Sequence, residues 1–236
     1  MLPALNEEEE LEGSVRTTVS ALRDWFAEWE LLVYDDGSTD ATGAIAERLA
    51  AEIEGVVAFH HATPQSIGGV LRRGLERARM RHFMWVDGKG ATPREALDRI
   101  FSHCGEADLV VPYAANQHER TRLRRAISRA FCATLNLIFG LDLRQYTHLV
   151  LCETAAARHV AVRTDSYAFQ AEALIKMIKA GCSYVEVGVV DDFKREAGHS
   201  KAFRWRNVIG VAAFFLRVVW DVRVVGIRRW EGRGGD

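Results

Sequence analysis

The chain has 236 residues, 48% of them hydrophobic, and its 31 basic and 32 acidic side chains leave a net charge of -1. That length supports one domain with an appendage, and so balanced a charge excludes nucleic-acid binding argued from global charge. Four cysteines (Cys104, Cys132, Cys152, Cys182) stand far apart with no Cys-x-x-Cys pair, which argues against a disulfide framework or zinc site and for a reducing compartment.

Met1 to Asn6 reads as the end of a first strand, and its brevity leaves room for a start further upstream. Acidic Glu7 to Glu10 stand where the basic region of a signal peptide would sit. Glu7 to Leu22 is helical, with Leu11, Val15, Val19 and Leu22 at helical spacing. Leu31 to Tyr34 is a second strand, Ala41 to Glu54 a helix and Gly55 to Phe59 a third strand. A glycine-bearing loop then leads into a basic helix, Val70 to Arg79. Phe83 to Val86 is a fourth strand ending at Asp87-Gly88-Lys89-Gly90, followed by a helix from Pro93 to Phe101 and a strand at Leu109 to Tyr113. Strict alternation of strand and helix marks an α/β fold with a mostly parallel sheet. Beyond it come a helix from Arg120 to Phe139, a strand at Leu149 to Cys152, a helix from Gln170 to Ala180, a strand at Ser183 to Val190 and an apolar helical segment from Phe203 to Trp230.

Asp35-Asp36-Gly37-Ser38-Thr39-Asp40 closes the second strand. In open α/β sheets ligands bind outside the carboxyl ends of the strands. Carboxylates there suit the hydroxyls and base N–H groups of a nucleoside and would repel phosphate.

These residues resemble glycosyltransferase family 2, with its GT-A (Rossmann-like) fold. The likeness runs through Pro3-Ala4-Leu5-Asn6-Glu7-Glu8, the Asp35 to Asp40 run, Gln65 to Gly74, Gln170 to Leu174, and Arg195-Glu196-Ala197-Gly198-His199-Ser200-Lys201. It covers about residues 2–202, and the branch it most resembles transfers sugars from nucleotide donors to polyprenyl (dolichyl-type) phosphates. The implied organisation is a GT-A domain over 1–202 and an amphipathic basic segment over 203–236.

The resemblance implies roles. Pro3, Leu5 and Glu7 line the nucleoside pocket, Asp35 or Asp36 binds base or ribose, and Arg72 lies near that pocket. Arg195 and Lys201 sit on a loop that closes over the donor diphosphate. Arg124 and Ser128, one turn apart, hold the acceptor phosphate, and Glu172 orients sugar or acceptor unless it is structural. One departure bears on the cofactor. Where the family carries Asp-x-Asp or Gly-Asp-Asn, this chain has Asp87-Gly88-Lys89, so Asp87 alone remains as a weak ligand for Mg²⁺ or Mn²⁺. Either Lys89 replaces the metal at the leaving diphosphate, making the enzyme metal-independent, or the chain is a weakened relative that only binds nucleotide or lipid phosphate. His148 reads as a loop histidine.

An inverting displacement is implied, since a polyprenyl phosphate is already an anionic nucleophile near neutral pH. From Lys194 to Arg229 nine basic residues face two acidic ones, with Trp205 and Trp220 among them and Trp230 next after. The longest uncharged run there, Asn207 to Leu216, has ten residues against the roughly 20 needed to span a bilayer. This composition suits a helix in a lipid headgroup region, and the expected location is cytoplasmic, peripheral on the inner face of the membrane. The expected partners are a nucleotide sugar, a polyprenyl-phosphate lipid and a membrane surface, with no nucleic acid.

Overall fold

Three short apolar runs near the N-terminus pair in parallel, because each is followed by a helix that returns the chain to the same edge. β1 (Leu2–Ala4), β2 (Leu31–Asp35) and β3 (Val56–His60) lie side by side in that order, with Leu2 opposite Val33 and Asp35 opposite His60. α1 (Leu11–Trp25) and α2 (Thr42–Glu52) cover one face, where Leu11, Val15, Val19, Ala46 and Leu49 pack on Leu31 and Val33. α3 (Ile67–Arg77) covers the other, placing Val70 and Leu71 against Leu32 and Tyr34. Each helix carries its apolar residues three and four apart, so a single face is buried. The computed structural model describes residues 1–165, 168–193 and 214–232.

The second sheet follows β4 (His82–Phe83), α4 (Arg94–Phe101), β5 (Leu109–Ala114), α5 (Arg122–Phe139), β6 (Leu151–Glu153), α6 (Thr154–His159), α7 (Phe169–Ala180) and β7 (Tyr184–Val189). Its spatial order is β4-β6-β5-β7, with β5 and β7 parallel and β6 antiparallel to both its neighbours. The mostly parallel expectation therefore holds, and β6 is the exception. The expected strand Phe83 to Val86 is regular only at His82–Phe83. Residues 84–86 run beside Met1 instead: the Met1 ammonium donates to Met84 O at 2.9 Å and Val86 N–H to Met1 O at 2.8 Å. That seam joins the two sheets and brings Asp87 to the rim where β1 and β2 end.

The C-terminal helix spans 214–225, its last turn (Asp221–Val225) is a π-helix, and Gly226 at φ 78° ends it. Phe214 and Val218 are buried at 2% and 0% exposure in the cluster that contains Leu135 and Leu174. Two polar side chains of this helix tie it to the rest of the domain. Asp221 reaches Lys176 Nζ on α7 at 2.6 Å, and Arg217 donates to Arg163 O at 3.2 Å. A buried ammonium needs carboxylate partners, and this decides the helix's rotation. Residues 203–213 lie outside the described residues.

Candidate functional site

The rim at the carboxyl ends of β1, β2 and residues 84–86 is stitched from three loops. Asn6 takes φ 55°, turning the chain after β1; its N–H donates to Ser38 Oγ at 3.0 Å and its Oδ1 accepts from Thr39 N–H at 2.9 Å. Glu7 N–H donates to Thr42 Oγ1 at 2.8 Å, and Ala41 N–H to Glu8 Oε2 at 2.9 Å. Gly37 at φ 77° is required twice, by its left-handed backbone and because a Cβ would stand 2.8 Å from the Thr63 carbonyl carbon. Pro3 is half-buried, and Leu5 presents an exposed side chain beside this rim.

Asp35 and Asp36 are both buried, and the structure divides their roles. Asp35 spends both oxygens: Oδ1 accepts from Ser38 N–H at 3.0 Å and Oδ2 meets His60 Nδ1 at 3.0 Å. Burial opposes its charge, but the Ser38 and His60 hydrogen bonds together hold its carboxyl below the usual range. His60 also reaches Glu47 Oε1 at 2.7 Å through Nε2. Its pKa is raised, first by Asp35, against burial, and then by Glu47. Asp36 concentrates on one oxygen, with Oδ1 accepting from Gln65 N–H at 2.8 Å and meeting His61 Nδ1 at 2.8 Å. Both carboxylates expected at the nucleoside are thus buried and anchored by hydrogen bonds.

The Asp87-Gly88-Lys89 turn lies across β1. A Cβ on Gly88 would stand 2.6 Å from Pro3 O, and Ser14 Oγ donates to Gly88 O at 3.1 Å. Asp87 Oδ1 accepts from Lys89 N–H at 2.9 Å, and Lys89 Nζ stands 3.9 Å from Glu7 Oε1. Burial raises the Glu7 pKa, Lys89 lowers it, and Asp87, Asp40 and Glu10 add repulsion. An ammonium therefore stands among carboxylates at this rim. Among the described residues no three His, Cys, Asp or Glu side chains converge on one point. Mg²⁺ is held by one or two carboxylates plus substrate phosphates, so Asp87 with the Lys89 ammonium beside it makes a weak site for a divalent cation.

The remaining expected residues are dispersed. Arg72 Nη2 pairs with Asp165 at 2.5 Å. Arg124 and Ser128 are half-buried, one turn apart on α5, after Thr121, whose hydroxyl caps the helix by accepting from Arg124 N–H at 3.4 Å. Glu172 is not presented to a ligand. It has no exposed surface, and its oxygens accept from Arg163 N–H (3.1 Å), Thr164 N–H (2.8 Å) and Lys176 Nζ (2.6 Å). Burial works against its charge, and those hydrogen bonds outweigh it, so its pKa is lowered. It holds the 161–165 loop, which corrects the expectation that it orients sugar or acceptor. Arg195 and Lys201 lie outside the described residues.

Three histidines do more than the sequence reading gave them. His60 and His61 complete the aspartate pair, and the signal was strand register, since Asp35 lies opposite His60. His148 is more than a loop residue: Nδ1 accepts from Leu149 N–H at 2.8 Å, which fixes the proton on Nε2, 3.2 Å from both Asp191 oxygens. Asn116 holds Asp191 in turn through two hydrogen bonds to its backbone.

Residues 1–162 match the family model described as Glycosyl transferase family 2. The undecaprenyl-phosphate mannosyltransferase of Micrococcus luteus is 31% identical, the match covering 98% of this chain and 95% of that protein. Glycosyltransferase AglD of Haloferax volcanii is 29% identical over 95% of this chain, which spans only 37% of that protein's length. The fold is shared with glucosyl-3-phosphoglycerate synthase from Mycobacterium tuberculosis, solved with Mn²⁺, UDP-glucose and phosphoglyceric acid. That match has a TM-score of 0.67 at 21% identity and covers 92% of this chain and 78% of the other.

Proposed function

This chain belongs to glycosyl transferase family 2 and is a glycosyltransferase, and from that premise we propose that it moves a sugar from a GDP- or UDP-sugar to a polyprenyl-phosphate-type lipid, inverting the anomeric centre. The observation that carries the reading is the crevice at the strand ends. There the buried Asp36 has Oδ1 fixed by His61 and Gln65, and Lys89 stands near Asp87 and Glu7. The lipid acceptor is supported by the name of a relative that matches nearly end to end.

In this mechanism an acceptor phosphate oxygen attacks the anomeric carbon, the bond to the donor diphosphate breaks, and the leaving nucleoside diphosphate takes the electron pair. The nucleophile is already anionic, so no strong base is needed. The protein contributes alignment and stabilisation of departing charge. Asp36 orients the nucleoside, with Pro3 and Leu5 flanking it. Lys89 faces the leaving diphosphate, joined by Arg195 and Lys201 of the closing loop. Arg124 and Ser128 hold the acceptor phosphate. A binder without catalysis is the second reading, and no observation favours it over transfer. Incubating the chain with labelled GDP- and UDP-sugars and a polyprenyl phosphate in detergent tests the proposal. Labelled glycolipid of inverted configuration is expected; a retained configuration overturns the mechanism, and no product from any donor overturns the function.

The membrane surface belongs to the same proposal. The C-terminal helix exposes Leu216, Trp220, Val224 and Val225, and α5 exposes Leu123, Ile127 and Leu137. The helices are adjacent, since Phe131 of α5 meets the rings of Phe214 and Phe215. Arg122, Arg125, Arg129 and Arg223 are interspersed, the pattern of an interfacial surface drawn to anionic headgroups. No helix among the described residues is long and apolar enough to cross a membrane. The full chain is expected to float with anionic liposomes, and Trp220→Glu combined with Val224→Glu to weaken that flotation at least tenfold. Equal flotation of both proteins overturns this surface.

A further inference from the structure

Between α3 and α7, against the second sheet, lies a cavity of about 90 Å³. Protein interiors hold few voids larger than a water molecule, which needs about 10–15 Å³, so this one is several times that size. Its wall is hydrocarbon, built from Leu71, Leu75, Phe83, Trp85, Phe169 and Met177. An apolar cavity is a poor site for water, which needs two or more polar partners, and a good one for hydrocarbon.

One cation stands in that wall. Arg72 lines the cavity, and while Nη2 is paired with Asp165, Nη1 is buried without a partner. A buried guanidinium N–H lacking an acceptor is costly. It gains most from an anionic oxygen brought in by a ligand. Hydrocarbon walls with a single unfilled cationic donor suit an amphiphile with an anionic head. The position agrees, because Trp85 stands two residues before Asp87, and His148, also in the wall, contacts Asp191 just beyond β7. Two of the cavity's wall residues are thus close in the chain to, or in contact with, the strand ends where the proposed chemistry occurs.

We infer that this cavity receives the first isoprene units of a prenyl phosphate, with Arg72 Nη1 on its phosphate. This rests on the lipid-acceptor reading above and refines it. The hydrocarbon next to the phosphate is read inside the domain, and Arg72 on α3 is read as a ligand of that phosphate.

The test is photolabelling of the full chain with a farnesyl phosphate carrying a diazirine on its first isoprene unit, followed by peptide mapping. Label is expected within residues 83–85 or 169–177, competed by plain farnesyl phosphate. Label confined to α5 or to residues 214–230 overturns the inference. Ala173→Trp, which fills the cavity from α7, is expected to cut labelling at least tenfold with nucleotide binding retained; undiminished labelling overturns the site. Arg72→Gln is expected to weaken farnesyl phosphate binding about tenfold and leave farnesol binding unchanged, and equal loss for both ligands overturns the phosphate contact. Transfer to the same probe is measured separately. Cavity labelling without transfer upholds the amphiphile site and overturns the acceptor role, whereas transfer with label elsewhere upholds the acceptor reading and overturns the cavity.

Discussion

Replacing Lys89 by alanine is expected to lower kcat by about 10²–10³-fold, the usual loss when one preorganised group that stabilises developing charge is removed. Lys89 Nζ lies 3.9 Å from Glu7 and its backbone N–H binds Asp87, so the lysine stands at the rim before any donor arrives. On the proposed mechanism it supplies positive charge to the departing diphosphate, and chelation by EDTA should leave the wild-type rate within about twofold. Lys89→Asp places a second carboxylate two residues after Asp87, so the variant should lose activity in EDTA and recover part of it with Mn²⁺. Steady-state kinetics of the three proteins with and without EDTA decide the matter. A wild type silenced by EDTA, or a Lys89→Ala enzyme with unchanged kcat, overturns the assignment.

The second large effect is on stability. Lys176→Met is expected to cost about 3–5 kcal/mol, the range for removing one partner of a buried ion pair. The lysine side chain is 5% exposed and binds Glu172 and Asp221, both at 2.6 Å, as well as Ala161 O at 2.7 Å. Its loss strands two carboxylates and frees one turn of the C-terminal helix from α7. Glu172→Gln should cost less, since Lys176 then keeps Asp221. The effect depends on pH with a definite sign. Because the Glu172 pKa is lowered in the folded state, its contribution is fully present above its ordinary value near 4.5 and fades as pH falls through the folded value. Urea unfolding at pH 7 and in acid should therefore show the gap between wild type and Lys176→Met narrowing in acid. A loss below about 1 kcal/mol at pH 7 would show that the cluster is not holding the helix.

The first half of the fold was legible because each strand there is an apolar run followed by an amphipathic helix with clear turn residues, as in Leu31–Asp35, Gly37 and Thr42–Glu52. The second half hides its elements. β6 is three residues long and antiparallel, and α6 is a six-residue helix whose N-cap makes no side-chain bond. Its formation rests on burying Ala156 and Ala157 in the core cluster shared with α7, which local propensity does not report. The candidate site divides in the same way. Asp36, Asp87 and Lys89 lie in contiguous motifs and were readable, while His60, His61 and Asp191 matter through partners 25 and 43 residues away. Glu172 and Lys176, four apart on one helix, look like an ordinary surface pair until the C-terminal helix covers them.

The loops after β1, β2 and β3 are sewn together before a donor arrives: Asn6 to Ser38 and Thr39, Glu7 to Thr42, and Asp36 to His61 and Gln65. Gly37 locks this arrangement against Thr63. A half-site built in advance has little ordering entropy left to lose on binding. Nucleotide association should then run at about 10⁵–10⁷ M⁻¹s⁻¹, the ordinary range for docking without a conformational wait. Discrimination between one base and another would be written in residence times, with wrong donors arriving as quickly as right ones and leaving sooner.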